Sequence, residues 1–297
     1  MVTPPRQPLA VEAFYKDRQG REIDALRRAA RDRAVAPYEA FVRLQQERAD
    51  AFLLRDDVIA GGCALADMIL WADSGVLTQD LASLQANYER NWYLVGFALA
   101  YLKLKPMADI RQRRQLETWL HAMATPLPNF LGRRDVPPNN LTYWAGAALA
   151  AASLATGDLD MWAQANAVLK QGLADIQADG TLPLEMTRGA KARSYHAFAA
   201  EALTLMAFIA QARGEPVDPA PLKRLVDIIL RGLQDPSAFR RTAGAAQEEP
   251  AEWSLSWLAL YGQILPFSGD VPAYGARTHF LGGDVAATMQ AIRRAGS

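Results

Sequence analysis

The chain has 297 residues, with 32 Lys and Arg against 32 Asp and Glu and a hydrophobic share of 51%. That composition excludes intrinsic disorder, and the zero net charge excludes a general nucleic-acid binder, which needs a basic excess. A single cysteine, Cys63, excludes an internal disulfide framework, and no run reaches the roughly 18 apolar residues of a membrane span, so no membrane insertion is expected.

Met1 to Ala10 holds three prolines and no apolar core, so it does not read as a signal peptide, and residues 1–20 read as an extended arm. Arg21 to Leu54 follows as a charged, Ala/Leu-rich helix that Pro37 is expected to break or restart. Val58 to Trp71 is strongly apolar and places Cys63 as a small buried hydrophobe. Leu77 to Leu104 carries Leu81, Leu84, Tyr88, Trp92, Val95 and Leu99 at helical steps, and Ile110 to Met123 forms the next helix. Pro126 to Asn140 is long, proline-rich and aperiodic, the signature of an ordered functional loop. Helices are then predicted over Leu141–Thr156, Leu159–Ala178, Arg188–Arg213, Pro219–Leu233, Trp253–Leu265 and Asp284–Arg294. No segment alternates apolar and polar residues over a useful length, so no strand is expected.

About ten helices joined by short turns, without a heptad seam or a fixed repeat period, predict an all-α fold of antiparallel helical hairpins in a ring. The helix at Leu141–Thr156 is apolar nearly all round and must be covered on both sides, as an inner ring behind an outer one would do. With no linker in view, residues 1–297 read as one domain.

No Gly-rich phosphate loop and no His-Glu-x-x-His motif is present. His121, His196 and His279 lie on three segments without ligand spacing, so neither a metal nor another cofactor is expected. Ser254 and Ser256 lack a nucleophile elbow. Two segments depart from the helical background. The first is Asn139-Asn140-Leu141-Thr142-Tyr143-Trp144, where a loop meets a buried helix. Its asparagines read as N-caps or as amide donors at a cleft rim, and Tyr143 and Trp144 as core or as a sugar-stacking wall. The second is Asp179 to Phe198, which gathers Glu185, Arg188, Lys191, Arg193, Tyr195 and His196. In helical geometry Arg188, Lys191 or Ala192, and Tyr195 share a stripe. Cations beside a phenol favour the phenolate, so Tyr195 is a candidate for proton transfer near neutral pH.

Asn139-Asn140-x-x-Tyr143-Trp144, then Asp179-Gly180-x-Leu182-Pro183-x-Glu185-x-x-Arg188, then Tyr195-His196-x-Phe198-Ala199 resemble the alginate lyases of polysaccharide lyase family 5. Weaker echoes at Cys63-Ala64-Leu65, Tyr101-Leu102-Lys103-Leu104 and Leu281-Gly282-Gly283-Asp284 extend the resemblance over roughly Gly61 to Asp284. It implies an incomplete (α/α) toroid with a deep cleft, β-elimination on a 4-linked uronic acid polymer, and a periplasmic or secreted setting. It also implies that Asn140 and Arg188 neutralise the uronate carboxylate while Tyr195 handles protons. The family motif reads Asn-Asn-His where this chain has Leu141 in third place.

The expected partner is therefore an acidic polysaccharide or oligosaccharide, bound by a monomer. Tyr143, Trp144, His196, Lys191, Arg134 and Arg90 are candidate substrate contacts, with Arg133 beside them. Two alternatives stand: a weakened or inactive uronate-binding relative, suggested by Leu141, and an inverting hydrolase, which would need two carboxylates from among Glu185, Glu201 and Glu252.

Overall fold

The computed structural model describes residues 2–265 and 277–296. Asp24 opens the first helix, its carboxylate accepting from the N–H groups of Leu26 and Arg27, and α1 (Ala25–Arg55) then runs unbroken through Pro37. Pro37 is exposed, so the Arg33 carbonyl it releases faces water, while Val35, Tyr38, Phe41 and Val42 hold the helix on the core. The next helices are α2 (Val58–Asp73), α3 (Leu84–Leu104) and α4 (Ile110–Ala124). α3 starts seven residues later than its periodicity suggests, because Leu77 takes a left-handed backbone (φ 65°) and Ser83 supplies the cap.

The predicted loop at 126–140 contains a short helix, α5 (Leu127–Leu131), before α6 (Asn140–Thr156) and α7 (Leu159–Asp175). One turn, α8 (Pro183–Met186), precedes α9 (Ala192–Ala212), and α10 (Pro219–Gln234) is followed by α11 (Ser237–Ala243), a helix too short for its periodicity to be seen. α9 begins at Ala192 rather than Arg188, since Gly189 sits at φ +60° and interrupts the helix. α12 (Leu258–Ile264) and α13 (Val285–Gly296) flank a two-stranded antiparallel ribbon of β1 (Arg277–Thr278) and β2 (Gly283–Asp284), which the sequence reading did not expect.

α3, α6 and α9 form the inner layer: α6 packs on both of the others, and α4 and α7 cover it from outside. All three are buried over most of their length, so their nearly unbroken apolar character follows from having neighbours on every side. At the centre Trp92, Trp144, Phe198 and Phe280 meet edge to face or tilted, with ring centroids 5.0–5.9 Å apart. The outer helix α2 buries Leu65, Met68 and Trp71 but leaves Ile59 and Cys63 exposed, so Cys63 is a surface residue and not the buried hydrophobe expected.

Several ionisable side chains are buried in the interior, Lys103, Asp50 and Glu201 among them. Lys103 is wholly buried and donates to Asp50 Oδ1 (2.5 Å) and to the Gly282 carbonyl (2.7 Å). Asp50 Oδ2 in turn accepts from the Asp284 N–H and from Arg277 Nη2, both at 2.9 Å, so α1, α3 and the ribbon are joined through one carboxylate.

Glu201 on α9 is wholly buried, with no hydrogen-bond partner for either oxygen among the described residues, and burial pushes its carboxyl well above the usual range. A folded-state pKa above the unfolded one gives stability that is fully present at acid pH and lost as pH rises through the raised value. Glu201→Gln is therefore expected to flatten the decline of Tm with rising pH. Parallel Tm–pH curves for the two proteins would show that Glu201 is not the group responsible.

Candidate active site

The two asparagines at the mouth of α6 divide the work. Asn139 is the N-cap, its Oδ1 accepting from the Leu141 N–H at 3.0 Å. Asn140 is wholly buried and turns to Glu185, whose Oε1 accepts from both its backbone N–H and its side-chain Nδ2, each at 2.8 Å. Glu185 Oε2 faces Arg188 Nε at 3.4 Å. The two residues are three apart, across the turn that closes α8, which brings their side chains together although no continuous helix links them.

Arg188 then lies over the ring of Tyr195, with its guanidinium carbon 4.5 Å from the ring centroid. The Asn140 amide, the Arg188 guanidinium and the Tyr195 phenol thus form one constellation built from the starts of α6 and α9 and the turn between α8 and α9. The continuous helical stripe predicted from Arg188 to Tyr195 is absent, and the cation–ring stack replaces it.

A hairpin at the N-terminal end covers this constellation. Its strands meet at a bridge between Tyr15 and Ile23, so the arm read as extended folds back on itself near its end. The Tyr15 hydroxyl hydrogen-bonds the Tyr195 hydroxyl, Arg188 Nη1 donates to the Gln19 carbonyl (2.8 Å), and Lys191 Nζ donates to the Arg21 carbonyl (3.1 Å). Burial and the Tyr15 phenol together push the Tyr195 phenol well above its usual range, against the pull of Arg188. The expected phenolate is therefore corrected: with the hairpin closed, Tyr195 is a protonated phenol. Gly20 lets the hairpin sit this close, since it has φ +70° and a Cβ there would lie 2.2 Å from Arg188 Nη1. Gly20→Ala is expected to lift the hairpin, read as faster tryptic cleavage at Arg18 and Arg21. An unchanged cleavage rate would mean that the hairpin does not depend on this contact.

Beside the constellation runs a cleft of about 1020 Å³, with Tyr15, Trp92, Lys191 and Tyr195 along its wall. Arg31, Arg43 and Arg277 also face it. Arg31 is held by Glu89 through two bonds of 2.7 Å and Arg277 by Asp50, whereas the exposed Arg43 has no ion-pair partner among the described residues. A cleft with fixed cations, an aromatic wall and a phenol suits a polyanionic sugar chain.

The profile of the alginate lyase family matches residues 15–239. The chain belongs to the alginate lyase family. It is 34% identical over 294 residues to a polysaccharide lyase of Stenotrophomonas maltophilia (strain K279a), an alignment covering 95% of this chain and 88% of that one. An alginate lyase of Pseudomonas syringae pv. syringae is 32% identical over 241 residues, 75% of this chain, and the match spans 64% of its length. Among solved structures, alginate lyase A1-III complexed with tetrasaccharide superposes with a TM-score of 0.84 at 19% identity, covering 98% of this chain and 84% of the other. That likeness establishes the shared fold.

Against this family frame, several predicted contacts are relocated. Tyr143 and Trp144 are core residues: the Tyr143 hydroxyl bonds Asp175 (2.8 Å), and the Trp144 indole donates to the Phe198 carbonyl (3.1 Å). His196 is wholly buried. Its Nε2 accepts from the Leu182 N–H (2.9 Å), its Nδ1 bonds the Ala192 carbonyl (2.7 Å), and burial pushes its pKa down to about 4. It braces the start of α9 as a neutral ring.

Arg90 is also buried, tied to Asn87 (2.6 Å) and the Gln79 carbonyl (3.3 Å), while Arg134 is an exposed side chain outside the cleft wall and Arg133 pairs with Asp135. Leu141 packs on the apolar core. Of the predicted site residues Lys191 and Tyr195 line the cleft, where Lys191 pairs with Glu248 (2.8 Å), whereas Asn140 and Arg188 lie behind its wall, covered by Glu185 and the hairpin. Glu185 and Glu201 are both sealed from solvent, and the side chain of Glu252 lies outside the described residues.

Sequence reasoning missed Tyr15, Trp92 and the anchoring role of Glu185. Trp92 sits on the same stripe as core residues of α3, and its partly exposed ring and an indole N–H with no partner among the described residues set it apart.

Proposed function

We propose that this chain cleaves a 4-linked, mannuronate- or glucuronate-containing polymer by β-elimination, with Tyr195 as acid and base and Arg188 and Asn140 as donors to the uronate carboxylate. The observation that carries this reading is the stacking of Arg188 on Tyr195 with Asn140 linked to the same guanidinium through Glu185. Removing the C5 proton of a uronate places charge next to a carboxylate that is already negative. Cationic and amide donors on that carboxylate let the charge spread onto it, as in an oxyanion hole.

The Gln19 carbonyl on Arg188 Nη1 holds the place of a substrate oxygen, so a sugar that enters displaces the hairpin from both Arg188 and Tyr195. Losing the Tyr15 phenol and gaining water lowers the Tyr195 pKa and leaves the pull of Arg188 in force. Tyr195 as phenolate then takes the C5 proton, the C4–O4 bond breaks as the C4–C5 double bond forms, and the same phenol protonates the departing O4. Serving both atoms from one group requires them on the same face of the ring. No water is consumed.

All the groups invoked come from one chain, which suits a monomer, and a substrate too large to cross a membrane suits a periplasmic or secreted enzyme. The test is a panel of polymannuronate, polyguluronate, polyglucuronate and hyaluronate, followed by absorbance of the unsaturated end and by product mass. Products heavier by one water would indicate hydrolysis and overturn the reading. Leu141 favours one other outcome, because it offers no proton-transfer group: binding without turnover, which Leu141→His would convert to turnover if the missing imidazole were the cause.

A further inference from the structure

Resting on the lyase reading, we propose that Glu185 is the positioning residue of this site, a buried carboxylate that locks the Asn140 amide to the Arg188 guanidinium and offsets the charge of the latter. Its two oxygens are divided: Oε1 takes both Asn140 donors at 2.8 Å, and Oε2 faces Arg188 Nε at 3.4 Å. The carboxylate is wholly buried, and Arg188 is nearly so. An ionised carboxylate in such a place is costly, and an apolar plug would serve packing at least as well. Burial does push Glu185 upward, while Arg188 and the Asn140 N–H groups pull against it.

No neutral isostere can do both jobs. With glutamine at 185, a carbonyl turned to the two Asn140 donors leaves an NH2 facing Arg188 Nε, and the opposite flip sets that NH2 against two N–H groups. Either way the Asn140 amide or the Arg188 guanidinium loses its partner. The charge effect runs in the other direction. Taking one negative charge from beside Arg188 makes the site more cationic, which favours a polyanion in the ground state.

The test is steady-state kinetics of Glu185→Gln and Glu185→Asp in the full-length protein, on the polymer that the wild type cleaves fastest, at several salt concentrations and with the folded fraction fixed from thermal unfolding. Glu185→Gln is expected to lower kcat by about tenfold or more, to lower KM by about twofold or more, and to steepen the rise of KM with salt. Glu185→Asp keeps the charge but is one methylene short, so kcat stays low while the salt dependence of KM returns to that of the wild type.

A merely structural role would change the folded fraction and leave KM and its salt dependence alone. Glu185→Gln with kcat within about twofold of wild type, or with a raised KM of unchanged salt dependence, overturns the proposal. If that variant does not fold, Glu185→Asp with wild-type kcat overturns it instead. A wild type inactive on every uronate polymer is the separate failure of the lyase reading, and it removes both.

Discussion

Tyr195→Phe is expected to abolish turnover of the uronate polymer while leaving the fold and oligosaccharide binding in place. The phenol is the one group in the constellation that can both accept and return a proton, since an amide and a guanidinium are not proton-transfer groups and His196 is locked inside the core. A single acid/base typically contributes about a hundred- to ten-thousand-fold. Here two proton transfers depend on the same oxygen, so the loss should lie at or beyond the upper end. The ring is kept in phenylalanine, and with it the face on which Arg188 rests at 4.5 Å. What disappears is the hydroxyl and its bond to Tyr15. Melting temperature and oligosaccharide titration check that the site is otherwise intact. A variant with near-normal kcat would transfer the proton chemistry to another group.

Asp50→Ala is expected to destabilise the protein by about 3–5 kcal/mol, since it strands Lys103 as a buried, uncompensated cation. Burial already pushes the Lys103 amine down, and the Asp50 carboxylate is the chief opposing influence. The variant also strips the Arg277 guanidinium and the Asp284 N–H of their acceptor. In a chain of this size the loss corresponds to roughly 5–8 °C in Tm. Replacing both partners, Asp50→Leu with Lys103→Met, should recover much of that loss, because the cost lies in the unpaired charge more than in the missing attraction. Equal losses in the single and double variants would show that the pair itself is the stabilising element.

The inner helices were the most legible part of the fold. Residues 141–156 are apolar on all sides, and only a helix enclosed by others has a use for that pattern. The site was legible in its residue types and less so in its geometry. Arg188 and Tyr195 do meet, but by stacking across a 3-10 turn that a helical wheel does not represent. Aromatic and basic neighbours of the motif looked like sugar contacts because composition cannot separate a ring that faces a cleft from one that faces the core. Trp144 on α6 and Trp92 on α3 both pack on Phe198 and Phe280, yet only Trp92 also lines the cleft. Tyr15 was out of reach, since a partner 180 positions away leaves no local trace.

The bonds of Asp50 have a corollary for how the chain acquires its shape. The Asp50 carboxylate accepts from the Asp284 backbone, 234 positions further along. During synthesis α1 and α3 emerge long before the ribbon that completes their shared ion pair, so a buried lysine waits for carbonyls not yet made. The expected last step is therefore the docking of the carboxy-terminal segment against α1 and α3. Nascent chains halted before that segment should bind a chaperone or expose the α1–α3 groove to protease, and release should follow once residues 277–284 are free of the ribosome.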